Sequence, residues 1–365
     1  MNRILVAGLL AVSAAAHAQV PAQPGVQLYG LIDLSVEHLS HVGPARDSLT
    51  RVPSLGSSLP SRWGIRGSED LGGGQRAVFT LESGFAPDSG ASNQGGRLFG
   101  RQAWVGLSGG WGTLMLGRQY SMYYLSMQDA GILGPNLYGL GSLDPYIPTA
   151  RFDNTVGYIG RFSGITLGAA YSLGRDVAAA PGGTNCAGEN AADSQACRAA
   201  SVMLKYDQAA WGVAAAWDRQ RGGTGASAGL TSSALSDTRK NINAYVKFHG
   251  IKLAGGLVRR DNEGGVPGLR RSDLSYVEAA WQLTPSLSLE GQVARLDYKD
   301  SASEATLVSL RTTYALSKRT VLYATAGHIN NDGSLGVSAS GGQPGGAPAA
   351  GGTQTGVALG MRHAF

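Results

Sequence analysis

Past residue 18 the sequence has no apolar run that approaches the roughly 20 residues a helix needs to cross a bilayer, and no long amphipathic helical pattern. Neither a helical anchor nor a helical bundle is expected. Cysteine is almost missing: Cys186 and Cys197, both within APGGTNCAGENAADSQACRAA, are the only two. Two thiols with no histidine nearby do not supply a tetrahedral set, so no metal is expected. Charge is also sparse, with Asp, Glu, Lys and Arg at 15% and a formal +5 spread over many short segments. Nucleic-acid binding favours a clustered basic patch, and none is present. The histidines, His17, His38, His41, His249, His328 and His363, are scattered outside any nucleophile motif, so no catalytic set or cofactor is expected.

What the chain does have is glycine and aromatics: 55 Gly, 14 Tyr and six Trp, a composition that suits an all-β chain with many turns. Its first residues carry an export pattern. Arg3 is a short basic region, Ile4 to Ala16 an apolar one, and Ala16-His17-Ala18 a small-residue cleavage site, so residues 1–18 are expected to be a signal peptide and the mature chain, 19–365, to begin at Gln19. An exported chain tolerates disulfides, and a Cys186–Cys197 bridge closing a short polar loop is the favoured pairing, against two free thiols.

Strand candidates follow at near-regular spacing, many with one apolar face and one polar or small face. In Asn241 to His249, Ile242, Ala244, Val246 and Phe248 oppose Asn243, Tyr245, Lys247 and His249. In Ser201 to Asp207, Val202, Leu204 and Tyr206 oppose Ser201, Lys205 and Asp207, and in Ser286 to Ala294, Leu287, Leu289 and Val293 oppose Ser288, Glu290 and Gln292. A soluble sandwich also buries one face, so a single strand decides nothing. Repetition with charged or tiny opposite faces favours a wet lumen, and the connections alternate between short turns such as His249-Gly250 and long Gly/Pro/Ser-rich loops. The runs from Val26–Ser40 to Gln354–Phe365 total sixteen, an even number as closure of an antiparallel transmembrane β-barrel requires. The last run, Val357, Leu359, Met361, His363 and Phe365, ends on an aromatic suited to an outward, interfacial position.

One stretch fits neither period. Gly117 to Asn154, GRQYSMYYLSMQDAGILGPNLYGLGSLDPYIPTARFDN, is long, irregular and rich in Tyr, Gly and Pro. Connections of that length inside a compact domain are usually functional.

With QLYGLIDLSVEH, SRWGIRGSEDLGGGQRAVFTLESGF, RLFGRQAWVGLSGGWGTLMLGRQY, RFDNTVGY and GMRHAF in order along the chain, the sequence resembles the trimeric general porins of Gram-negative bacteria, and most of all their β-proteobacterial branch. The resemblance implies a 16-stranded outer-membrane barrel, a homotrimer in contact with lipid and lipopolysaccharide, and assembly through the C-terminal strand, marked by Phe365. It also implies a third external loop, Tyr120 to Ala150, folded into the lumen, with loop acids facing wall arginines across the path of small hydrophilic solutes and anions. Arg62 in SRWGIRG, Arg101 in RLFGRQAWVGL and Arg151 before Asp153-Asn154 match the family's wall arginines. Arg66, two residues from Arg62, shares its face, and Arg118 precedes Tyr120 in GRQY.

On the loop side the resemblance points to Tyr120, Tyr124, Asp129 and Asp144, the last two being the loop's only carboxylates. Trp63, Ile65 and Trp104 are expected to face lipid or a neighbouring subunit. The family's Pro-Glu-Phe-Gly-like bend is absent; Gly134-Pro135 and Asp144-Pro145 stand nearest to it. Three or more arginines against two Asp predict anion preference. A channel restricted to one solute class, an adhesive barrel and an outer-membrane hydrolase remain as alternatives.

Overall fold

A computed structural model describes residues 25–57, 59–175, 186, 188–341 and 344–365. The expected signal peptide lies outside the described residues. The wall begins with β1 (Gly25–Val42), β2 (Asp47–Arg51), β3 (Arg62–Gly72), β4 (Gln75–Gly84), β5 (Gln102–Gly109) and β6 (Gly112–Tyr120). It continues through β7 (Arg151–Phe152), β8 (Thr155–Phe162), β9 (Ile165–Ser172), β10 (Ala199–Asp207), β11 (Trp211–Arg221) and β12 (Ser236–Phe248). β13 (Ile251–Asn262), β14 (Arg271–Gln282), β15 (Leu287–Tyr298), β16 (Glu304–Ala315), β17 (Thr320–Asp332) and β18 (Thr353–Ala364) complete it.

Neighbours pair antiparallel, and β18 returns to β1 with Leu31 opposite Ala364 and Leu39 opposite Gly356. Two of the strands are short outer pieces. β2 covers the outer half of β1, where β3 covers the inner half, and β7 stands above β8 on β6. The closed barrel therefore has sixteen positions around its wall, as the alternation predicts.

The burial pattern is inverted relative to a protein that folds in water. On β12, Ile242, Val246 and Phe248 are exposed while Asn241 and Asn243 are buried; on β10, Val202, Leu204 and Tyr206 are exposed and Ser201 and Lys205 buried. Leu310 is 66% exposed, next to Ser309 at 1%. Such a surface is stable only against hydrocarbon, which excludes the soluble sandwich. Twelve-residue strands at about 3.3 Å per residue and a tilt near 45° rise roughly 28 Å, enough for the apolar band of an outer membrane.

The turns at one end are tight. Ser163-Gly164 and His249-Gly250 have positive φ at both residues (48° and 87°, 46° and 78°). That is the type I′ geometry whose twist suits a two-residue hairpin, with glycine in the second place. At the other end, the structure joins Cys186 to Cys197.

Candidate functional site

Residues 121–150 connect β6 to β7 and are buried along most of their length, Met122, Tyr123, Ala130, Tyr138 and Ala150 completely. The stretch opens with a short helix, Met122–Met127, capped by Ser121, whose side chain accepts from Tyr124 N. It then hydrogen-bonds around the inward-facing residues of the wall. Ser126 pairs with Asn241 on β12, the Ile132 and Leu133 amides donate to Glu278 on β14, and Arg311 on β16 donates to the Leu133 carbonyl at 2.8 Å. Tyr138 Oη donates to Glu37 on β1 at 3.0 Å, and Ser142 Oγ to the Ala339 carbonyl.

Where the stretch leaves the wall, Arg101 Nη2 and Arg151 Nη2 both donate to Tyr120 Oη, at 2.5 and 3.2 Å. The Arg151 guanidinium lies 4.5 Å from the Tyr120 ring centre and the Arg101 guanidinium 5.9 Å, and Tyr124 stacks on Tyr120 at 4.3 Å. Burial pushes the Tyr124 phenol up to about 12, with Tyr120 adding to the rise and Arg101 and Arg151 opposing it, so the ring stays neutral. Arg62 joins through Glu82: Arg101 Nε donates to Glu82 Oε1 at 2.7 Å, and Arg62 Nε lies 3.5 Å from Oε2. Arg62, Arg101, Arg151, Tyr120 and Tyr124 thus form one cluster.

Other expectations need correction. The acid beside Arg62 and Arg101 is Glu82 of β4, a wall residue, whereas the loop's two carboxylates pair elsewhere. Asp144 is held by Arg239 of β12, at 2.8 Å from Nε and 3.1 Å from Nη2, with the guanidinium 4.3 Å from the Tyr146 ring centre. Burial raises the Asp144 carboxyl, but the Arg239 charge overcomes it and holds the group below the usual carboxylate range. Asp129 pairs with Lys205 of β10. Arg118 stands apart from the cluster, donating to Asp153 Oδ1 at 2.5 Å and to the Gly100 carbonyl at 2.7 Å, because it shares a period-two face with Leu114 and Leu116, whose side chains are exposed. Arg66 keeps the inner face predicted for it but stands nearer the tight-turn end, bonded to Gln27 at 2.9 Å.

Trp104 is the largest departure. Even-numbered residues of β5 point inward, and Trp104 packs against Val78, Met115 and Ile159, with Nε1 donating to Gln102 at 3.1 Å. Arg101 escapes that parity because it lies in a bend just before the strand. Of the residues missed, Glu82 could have been found: it shares a period-two face with Val78 and Thr80. Arg239 and Lys205 carry no local mark that would distinguish them from other strand cations.

Two cavities open on the tight-turn side of residues 121–150. One, about 490 Å³, is lined by the Arg62–Arg101 pair, Trp104, Met115, Tyr120 and Lys205 among others. The other, about 870 Å³, is a basic vestibule that includes Lys247, Lys252, Arg311, Lys318, Arg319 and Arg362, with Glu290 the acid among its described lining residues.

A family model described as Gram-negative porin matches residues 5–334. The chain belongs to that family. Over the full length of both chains this porin is 31% identical to an outer membrane porin protein of Bordetella pertussis, and equally to outer membrane porin protein 32 of Delftia acidovorans. Among solved structures it is similar to an anion-selective porin from Comamonas acidovorans, at 25% identity and a TM-score of 0.75, covering 94% of this chain and 100% of that one. The porin's place is accordingly the outer membrane of a Gram-negative bacterium.

Proposed function

We propose that this porin passes small hydrophilic solutes and ions by passive diffusion with a preference for anions, residues 121–150 forming the constriction inside the lumen. The observation that carries the reading is the gathering of Arg62, Arg101 and Arg151 about Tyr120 and Tyr124, with Glu82 as the neighbouring carboxylate. Fixed positive charge in a narrow wet path favours anions without binding them tightly. The basic vestibule supports the same sign, as does likeness to a porin described as anion-selective. Positioned charge and an open radius suffice for this, so the chain is read as no enzyme and as needing no cofactor.

The assembly is read as a homotrimer. Strands β3 to β6, β8 and β9 have only 8 to 11 residues, and this low side leaves Val105, Leu107, Leu114 and Leu116 exposed for a neighbour to cover. Lipopolysaccharide phosphates suit exposed Arg259 and Arg271 at the long-loop end. Residues 1–18 are read as the cleaved signal, and Phe365 as the assembly signal. Replacing Arg62, Arg101 and Arg151 together by Gln should move the reversal potential in a salt gradient toward cation selectivity. An unchanged potential would rule these residues out as the filter, and absence of stepwise triplet insertions in planar bilayers would count against the trimer.

A further inference from the structure

Most of the inward wall is polar, as a path for hydrated solutes requires: Asn241, Asn243, Gln292 and Ser309 all face that way. The 490 Å³ cavity breaks the pattern. Trp104, Met115, Ile159 and Met203 give it an apolar side, with Leu125 of the short helix among its lining residues. Its polar side holds Arg62, Arg101 and Arg161, with Lys205 paired to Asp129 and Asp207. A wall of one indole and two thioethers is chemically suited to a flat aromatic ring, through offset contacts with Trp and edge contacts with methionine sulfur. An apolar cavity of about 150 Å³ is enough for benzene, so a ring and its substituent fit with water to spare.

From this juxtaposition we infer that the cavity is a subsite for aromatic monocarboxylates, the ring lying against Trp104, Met115 and Met203 and the carboxylate toward Arg62 and Arg101. The inference rests on the anion-preferring channel and names the solute class that lingers in it. Aliphatic carboxylates of similar charge satisfy the arginines but leave the apolar side wet, so they pass without delay. Ring retention lengthens the stay of a solute just beyond the Tyr120 cluster, on the side of the tight turns.

Benzoate and acetate, added separately to full-length protein in planar bilayers, test the idea through interruption of channel current. Benzoate is expected to interrupt current at concentrations at least about tenfold below acetate, and Trp104→Ala to weaken that effect about tenfold while Trp104→Phe keeps most of it. Should Trp104→Ala fail to assemble, Met203→Gln, which keeps the side-chain length, is expected to weaken benzoate in the same direction. Equal action of benzoate and acetate on the wild type, or a wild-type benzoate response in the assembled variants, overturns the inference. The wild-type reversal potential in a chloride gradient, recorded in the same membranes, separates the two failures. Anion preference without a benzoate effect sinks the subsite alone, and no anion preference sinks the channel reading beneath it.

Discussion

Asp144→Asn removes one charge from the clamp that ties residues 121–150 to β12, and keeps its shape. Breaking one side of a buried ion pair costs about 3–5 kcal/mol. Arg239 retains Asp237 at 2.9 Å and the Tyr146 ring at 4.3 Å, so the remaining guanidinium is not stranded. We therefore expect less than that range, about 2 kcal/mol, a factor of roughly 30 between clamped and released states. Because Arg239 holds the Asp144 carboxyl below its ordinary range, the clamp in the wild type is intact above the free carboxylate value, near 3.9, and weakens only as pH falls through the lower clamped value. Single-channel recordings should show more open-state noise in Asp144→Asn at neutral pH, and protease should cut within residues 121–150 sooner. Wild type should acquire both traits only in strong acid, and the variant should show little further change there. A variant as quiet and as resistant as wild type, with the same acid response, would refute the clamp.

Glu82→Gln leaves Arg62 and Arg101 without their acid and is expected to shift the reversal potential further toward anions. Leu310→Arg, in the middle of β16 on the outward face, should cost about 2–4 kcal/mol, read as a lower denaturant midpoint for the protein folded in lipid vesicles. Replacing Cys186 and Cys197 by Ser together should destabilise their external loop by about 2–3 kcal/mol, seen as faster proteolysis there, with conductance unchanged because the bridge lies away from the Tyr120 cluster.

Much of the wall was legible because a strand's period of two writes its faces directly into the sequence. Ile242, Val246 and Phe248 declare the outside of β12 without reference to any other strand, and β1 and β18 come within two residues of their expected limits. The break in alternation set the long connection within Gly117 to Asn154, and the structure places it at residues 121–150. Partners across the barrel were not legible in this way. That Asp144 finds Arg239, 95 residues on, depends on where an irregular segment lies against β12. Trp104 departs from its expected outward position because the parity of β5, set by Val105 and Leu107 outside, places it inside.

The seam where β18 meets β1 has a consequence for the order in which the molecule can be made. Gly30 and Phe365 exchange both backbone hydrogen bonds at 3.1 Å, and the Phe365 ring lies so close over Gly30 that a Cβ there would come within 2.2 Å of it. β1, the first strand of the barrel, is thus sealed only when β18 arrives beside it. Until then β1 carries an open edge, and no intermediate is both closed and incomplete. A sheet that has not yet paired β18 with β1 keeps two open edges that still seek partners, so the barrel closes in a single late step.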